Sequence, residues 1–212
     1  MQQGVREQNR NSRFKSIVMT AEQLFIENGI DSVQMQDIAN AEEIGIATLF
    51  RYFPKKDKLI VAVAVQTLER TLASLEKIIN KQKTAYERLE DVLGYLLENQ
   101  TGKGKNSSKF REAFESYASF KKEPLPDIES YIEIQKQIIQ ILDPLIEDGQ
   151  KDGSIRSDIP VKETIITIIN AYGTFGNNVV LKKAITYTES NILPQIQQQV
   201  LKEILLSYVR PG

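Results

Sequence analysis

Residues 34–59 read QMQDIANAEEIGIATLFRYFPKKDKL, and the fold is decided there. Met35, Ile38 and Ala39 fall at helical spacing in a first short run; Leu49 and Phe53 stand four apart on one face of a second, Ile46 to Phe53. The opposite face of the second run carries Ala47, Thr48, Phe50 and Arg51. Pro54 ends it, because the residue before a proline is pushed out of the α region. Lys55, Lys56 and Lys58 follow at the start of a further helix. A short helix with a mixed polar and aromatic outer face, trailed by lysines, suits a duplex groove. The outer face meets base edges and the lysines meet phosphates.

The run Asp37-Ile38-Ala39, followed by Thr48-Leu49-Phe50-Arg51-Tyr52-Phe53-Pro54-Lys55-Lys56-Asp57-Lys58-Leu59, resembles the helix-turn-helix of TetR-type (tetracycline-repressor-like) transcriptional regulators. The resemblance covers the first third of the chain. It departs from the family at Glu42-Glu43, where a small Ala-Gly pair is usual, and at Ile46, where a polar residue is usual. It implies a DNA-binding set of Gln36, Gly45, Ile46, Ala47, Thr48, Phe50, Arg51, Tyr52 and Lys56. Tyr52 and Lys56 match positions that meet the DNA backbone, and Gln36, Thr48 and Phe50 are expected to set base preference. Leu49 and Phe53 read as core of the small helical unit. Taken singly, Arg51 and the lysines read equally well as solvated surface charges; the motif in register favours the DNA patch.

Lys and Arg total 27 and Asp and Glu 28, a net charge of −1 over 212 residues. Indiscriminate coating of nucleic acid is therefore not expected, and any DNA contact must come from local charge. Two clusters supply it, each net +3: Arg6, Arg10, Arg13 and Lys15 against Glu7, and Arg51, Lys55, Lys56 and Lys58 against Asp57. The chain has no Cys and no His, which removes disulfides, thiol and imidazole catalysis and the usual zinc ligand sets. No secretory signal pattern and no run of about 20 apolar residues stands in the sequence, so a cytoplasmic bacterial protein without a membrane span is expected.

The rest of the chain reads as helices, about nine in all, with no alternating β pattern. Residues 1–11 read as a flexible basic arm, either reaching a minor groove or simply disordered. Helices are expected over Ser12 to Asn28 with Gly29 at its end, Val33 to Ala41, Ile46 to Phe53, and Lys56 to Asn80. A fifth opens at Thr84 with a capping box to Glu87. TGKGKNSS over 101–108 reads as a loop, Ser108 to Phe120 as an aromatic helix, and Asp127 to Gln150 as one helix kinked at Pro144. Pro160 opens a helix reaching Lys183, and the last helix starts near Asn191 with Pro194 in its first turn. The fold class is all-α: a DNA-binding domain over 1–55 and a helical ligand-binding and dimerisation domain over 56–212.

The resemblance further implies a homodimer through the last two helices, with Ile168, Gly176, Val179, Ile196, Val200, Ile204 and Tyr208 at the interface. Those faces read otherwise as the chain's own core. It also implies an effector pocket for an unidentified small molecule in the second domain, with Tyr95, Phe110, Phe114, Tyr117, Tyr131, Asn170 and Tyr172 as its lining. An aromatic stripe at helical spacing reads equally as bundle core. The function expected is a ligand-responsive repressor that binds a near-palindromic double-stranded operator as a dimer. The alternative is a helical interaction protein whose DNA-binding head is vestigial or independent of any effector. No catalytic spacing of carboxylates or tyrosines stands out, so neither an enzyme nor a cofactor is expected.

Overall fold

The computed structural model describes the backbone of residues 2–102, 105–181 and 193–211, and the side chains of 7–102, 106–179 and 193–211. Among the described residues there is no strand. The helices are α1 (Gln2–Asn28), α2 (Met35–Ala41), α3 (Ile46–Tyr52), α4 (Lys56–Ile79), α5 (Ala85–Thr101), α6 (Lys105–Ser119), α7 (Ile128–Gln140), α8 (Asp143–Lys151), α9 (Val161–Gly176) and α10 (Pro194–Val209). A π-helical turn, Asn177–Leu181, continues α9.

The chain packs as two compact units. The first holds the residues up to Arg70 together with Lys109–Ile134. Its centre is built by Ile17, Val18, Ala21 and Phe25 of α1, Ile38 and Ala39 of α2, Leu49 of α3, and Leu59, Ile60 and Val63 of α4, all buried. Phe110 and Phe114 of α6 close it, 2% and 1% exposed. The rings run in series: Phe25 to Phe110 at 6.2 Å, Phe110 to Phe114 at 6.4 Å, and Phe114 to Tyr131 at 4.7 Å between centroids. Burying four aromatics in one row adds a large apolar area to this unit's core.

The second unit holds Thr71–Ser108 and the chain from Gln135 onward. α5 is its hub, with Leu89, Val92 and Leu93 fully buried against Leu145 of α8, Ile165 and Tyr172 of α9, and Leu206 of α10. The amino end of α5 is fastened twice. Thr84 and Glu87 form the expected capping box. In addition the amide of Ala85 donates to Asp152 Oδ2 at 2.9 Å, and that of Tyr86 to Ser154 Oγ at 3.1 Å. These bonds satisfy amides that a helix cannot pair within itself.

Three expectations are corrected, and a fourth falls partly outside the described residues. Residues 2–11 are not an arm: α1 is helical from Gln2, because the segment has no proline and is rich in Arg, Gln and Glu, which tolerate a helix without burying a face. Residues 7–16 are exposed throughout. The helix expected over 127–150 is two helices, since Pro144 sits in the first turn of α8 and the chain breaks at Ile141–Leu142. The loop expected over 101–108 is shorter, with α5 reaching Thr101 and α6 starting at Lys105. The helix opening after Pro160 is α-helical only to Gly176; its expected end at Lys183 lies outside the described residues, as does the start of the last helix at Asn191.

Candidate nucleic-acid interface

Gln34 caps α2, its own amide donating to Asp37 Oδ2 at 2.8 Å, and Ile38 and Ala39 face inward. At the other end the amide of Ile44 donates to the Ala39 carbonyl at 3.0 Å and that of Glu43 to Asn40 at 3.1 Å, the paired bonds of a Schellman ending. Glu43 takes the position glycine usually holds, with φ 55°. Glu42 accepts a hydrogen bond from Thr20 Oγ1 at 2.6 Å, which ties the turn to α1. The two glutamates therefore leave the helix-turn-helix connection closed, at the cost of one side chain in the left-handed region.

Gly45 caps α3, and Leu49 and Phe53 seat the helix, 0% and 3% exposed. Phe53 meets Phe14 of α1 at 4.9 Å between ring centroids. What remains is a face of exposed Ala47, Phe50 and Arg51 with half-buried Ile46, Thr48 and Tyr52. Phe50 is 44% exposed, although a phenylalanine gains by burial. Arg51 Nη2 lies 3.4 Å from Thr48 Oγ1, so the two polar groups of this face stand side by side. Gln36 is exposed on α2 and donates to Asn40 Oδ1 at 2.8 Å.

Lys56 opens α4 and donates to the Asp31 carbonyl at 3.2 Å. Partial burial lowers its pKa against the opposing pull of Asp31 and Asp57. Arg10 and Arg13 of α1 join Arg51, Tyr52 and Asn9 around an open cleft of about 550 Å³. Two arginines of the first basic cluster thus meet one of the second, brought together by α1 and α3. Sequence reasoning had both clusters but set Arg10 and Arg13 on or beside an arm; nothing local signalled that they share a cleft with Arg51. Arg6 lies outside the described side chains.

The remaining expected site residues divide between the units. Phe110, Phe114, Tyr117 and Tyr131 belong to the first, and Tyr95, Asn170 and Tyr172 to the second. Tyr117 Oη donates to Asp57 Oδ1 at 2.7 Å and Tyr131 Oη to Glu115 at 3.1 Å. Tyr95 is half-buried beside the core of the second unit, and Asn170 is exposed. Tyr172 is fully buried, and among the described residues its hydroxyl has no hydrogen-bond partner; burial pushes it up to about 12.

Of the residues expected at a dimer interface, Ile168, Gly176 and Val179 are buried within the chain's own packing. A Cβ on Gly176 would stand 1.8 Å from Gln100 Oε1 and 2.2 Å from Gln198 Nε2. That glycine makes room for a buried pair missed in the sequence: Gln198 donates to Gln100 at 2.5 Å, and Gln100 donates to the Gly173 carbonyl at 2.8 Å. Ile196, Val200, Ile204 and Tyr208 are 52%, 48%, 58% and 54% exposed, one uncovered apolar stripe along α10.

Residues 17–63 match the family described as bacterial regulatory proteins, tetR family. The transcriptional repressor KstR of Mycolicibacterium smegmatis is 30% identical over 87 residues, which cover 41% of this chain and 43% of KstR. The fatty acid metabolism regulator protein of Bacillus subtilis is 21% identical over 153 residues, 72% of this chain and 76% of that one. Among solved structures, FadR from Bacillus subtilis in complex with stearoyl-CoA superposes with a TM-score of 0.68 at 19% identity, covering 93% of this chain and 100% of that one. A putative transcriptional regulator from Saccharomonospora viridis in complex with choline superposes with a TM-score of 0.77 at 18% identity, covering 96% and 100%. At such identities the likeness is one of fold. The match to KstR spans less than half of that repressor's length.

Proposed function

We propose that the chain, whose residues 17–63 match the tetR family of bacterial regulatory proteins, is a member of that family and a transcriptional repressor that reads duplex DNA as a homodimer. The observation that carries this is the outward face of α3 set beside a cleft lined by three arginines. Thr48, Phe50 and Gln36 read base edges in the major groove, with Gly45, Ile46 and Ala47 at the surface of approach. Arg10, Arg13, Arg51, Tyr52 and Lys56 hold phosphates. In functional terms residues 1–55 are the DNA-binding domain and 56–212 carry dimerisation and effector binding.

Dimerisation runs through the α10 stripe of Ile196, Val200, Ile204 and Tyr208, whose exposure in the single chain supports a helical partner face. Two heads related by a two-fold axis call for a near-palindromic operator. The effector is a mainly apolar small molecule bound in the second unit. The buried, unpartnered Tyr172 hydroxyl supports this, because a ligand that accepts or donates one hydrogen bond there recovers its desolvation cost. Binding lowers operator affinity by favouring a second conformation of the dimer. The protein works by binding in the cytoplasm rather than by catalysis. Among the described residues no helix is long and apolar enough to cross a membrane.

The test is selection of a duplex from a random-sequence library, followed by titration at several salt concentrations. A palindromic consensus is expected. Lys56→Ala should weaken binding to all sequences alike and reduce the salt slope by about one unit. Failure to enrich any duplex overturns the proposal.

A further inference from the structure

The amino end of α4 carries a carboxylate where an approaching phosphate least tolerates one. Asp57 stands between Lys56 and Lys58 in the first turn. Unopposed, it would repel the phosphate that Lys56 is there to hold, and it would compete for the lysine itself. Two side chains from α6 and the residues after it meet it instead. Tyr117 Oη donates to Asp57 Oδ1 at 2.7 Å. Lys121 Nζ stands 3.6 Å from the same oxygen and 4.2 Å from the centroid of the Tyr117 ring. Lys58 is drawn off to Asp127 at 3.0 Å. Asp57, Tyr117 and Lys121 thus form one stacked and hydrogen-bonded group inside the first unit.

We infer that Tyr117 and Lys121 are positioning residues for DNA binding: they hold and neutralise Asp57 so that Lys56 faces a phosphate alone. The inference rests on the DNA-binding reading above. It gives Tyr117, an expected pocket residue, a role at the interface with DNA. Burial, helped by the Asp57 carboxylate and opposed by Lys121, lifts the hydroxyl above the usual tyrosine range, so it stays a donor at neutral pH. A hydrogen bond from a neutral donor to a carboxylate is stronger than one between neutral groups, and removing only the hydroxyl leaves the ring stacked under Lys121.

The experiment is a double-mutant cycle on operator affinity, using the duplex selected by the wild-type protein. Tyr117→Phe should weaken binding by about tenfold. The salt slope should stay at its wild-type value, because no phosphate contact is lost, and the unfolding midpoint should fall by no more than the loss of one hydrogen bond to a carboxylate. In an Asp57→Asn background the same tyrosine change should cost nothing further. Wild-type affinity in Tyr117→Phe overturns the inference. So does an equal loss whether or not Asp57 is charged, since that would make Tyr117 a residue acting elsewhere. Selection of no duplex by the wild-type protein would instead overturn the DNA-binding reading itself, with this inference falling as a consequence.

Discussion

The two units spend their polar side chains in opposite ways. In the first, Arg51, Lys55 and Gln36 are exposed, and Phe50 is left 44% open on the same surface. In the second, Gln100 and Gln198 are 2% and 0% exposed, Tyr172 is sealed in the core, and Gln198 Oε1 and the Tyr172 hydroxyl lack partners among the described residues. On the proposed function, the difference follows from what each would meet. A DNA groove is rigid and arrives from outside, so its reader must be presented ready-made. A small molecule has to be enclosed, and an enclosed polar group without a partner is a cost until something binds to it.

The change expected to strain the contrast most is Ile204→Glu. A charge on the exposed α10 stripe leaves the fold of the chain intact but should block pairing of two copies. Sedimentation should then show monomers, and operator affinity should fall on the order of a hundredfold, because a half-site alone is weak. An unaltered dimer would mean that the second unit's open face serves another purpose.

Gly176→Ala comes next. Its added methyl would overlap Gln100 and Gln198, the polar heart of the second unit. Stability should drop by about 3 kcal/mol, and the loss should be confined to the second unit in hydrogen exchange. Protection of α2 and α3 amides should be unchanged. If both units lose protection together, they are not separate in energy as they are in packing.

Tyr172→Phe should do the reverse. Deleting a buried hydroxyl that has no partner should leave stability unchanged or raise it by about 1 kcal/mol in denaturant melts. If that hydroxyl is the effector's anchor, the variant should also lose the thermal shift given by an apolar compound that stabilises the wild type. A destabilised variant would show that the hydroxyl is paired after all.

The smallest effect is sought in the first unit. Glu43→Gly relieves a left-handed residue at the end of α2 and should stabilise this unit by about 1 kcal/mol, less the added freedom of glycine in the unfolded chain. Thr20 and Glu42 remain to hold the turn, so DNA affinity should not change. Lower stability would mean that the Glu43 side chain is worth more than its backbone costs.

Much of this was readable from residue order, and the rest was not, for one reason. Periodicity reports the face a helix buries against whatever lies nearest, so Leu49, Phe53 and the α5 core were legible. Capping chemistry is local too, and Thr84 with Glu87 marked a helix start correctly. What periodicity cannot report is the identity of the neighbour. Tyr117 and Asp57 are 60 residues apart, and Gln100 and Gln198 are 98 apart. Gly176 makes room for two glutamines of the same chain, a closeness that residue order does not show. The start of α1 was missed because an exposed polar helix has no apolar rhythm to betray it. Glu42-Glu43 departs from the usual small pair at the turn, and the bond from Thr20 to Glu42 that ties the turn to α1 was not legible in residue order.

The doubly fastened amino end of α5 has a consequence in proton chemistry. Two of its fasteners are carboxylates. Hydrogen bonds from Thr84 hold Glu87 below its ordinary pKa. Burial works against Asp152, yet the hydrogen bonds from Ser154 and Ala85 prevail and keep it low as well. Both groups take up a proton more readily in the unfolded chain than in the folded one. Their contribution is therefore whole above the usual carboxylate range and drains away as the pH falls through their depressed values. The helix on which α8, α9 and α10 are packed thus begins at two carboxylates whose hold on its first turn weakens in acid.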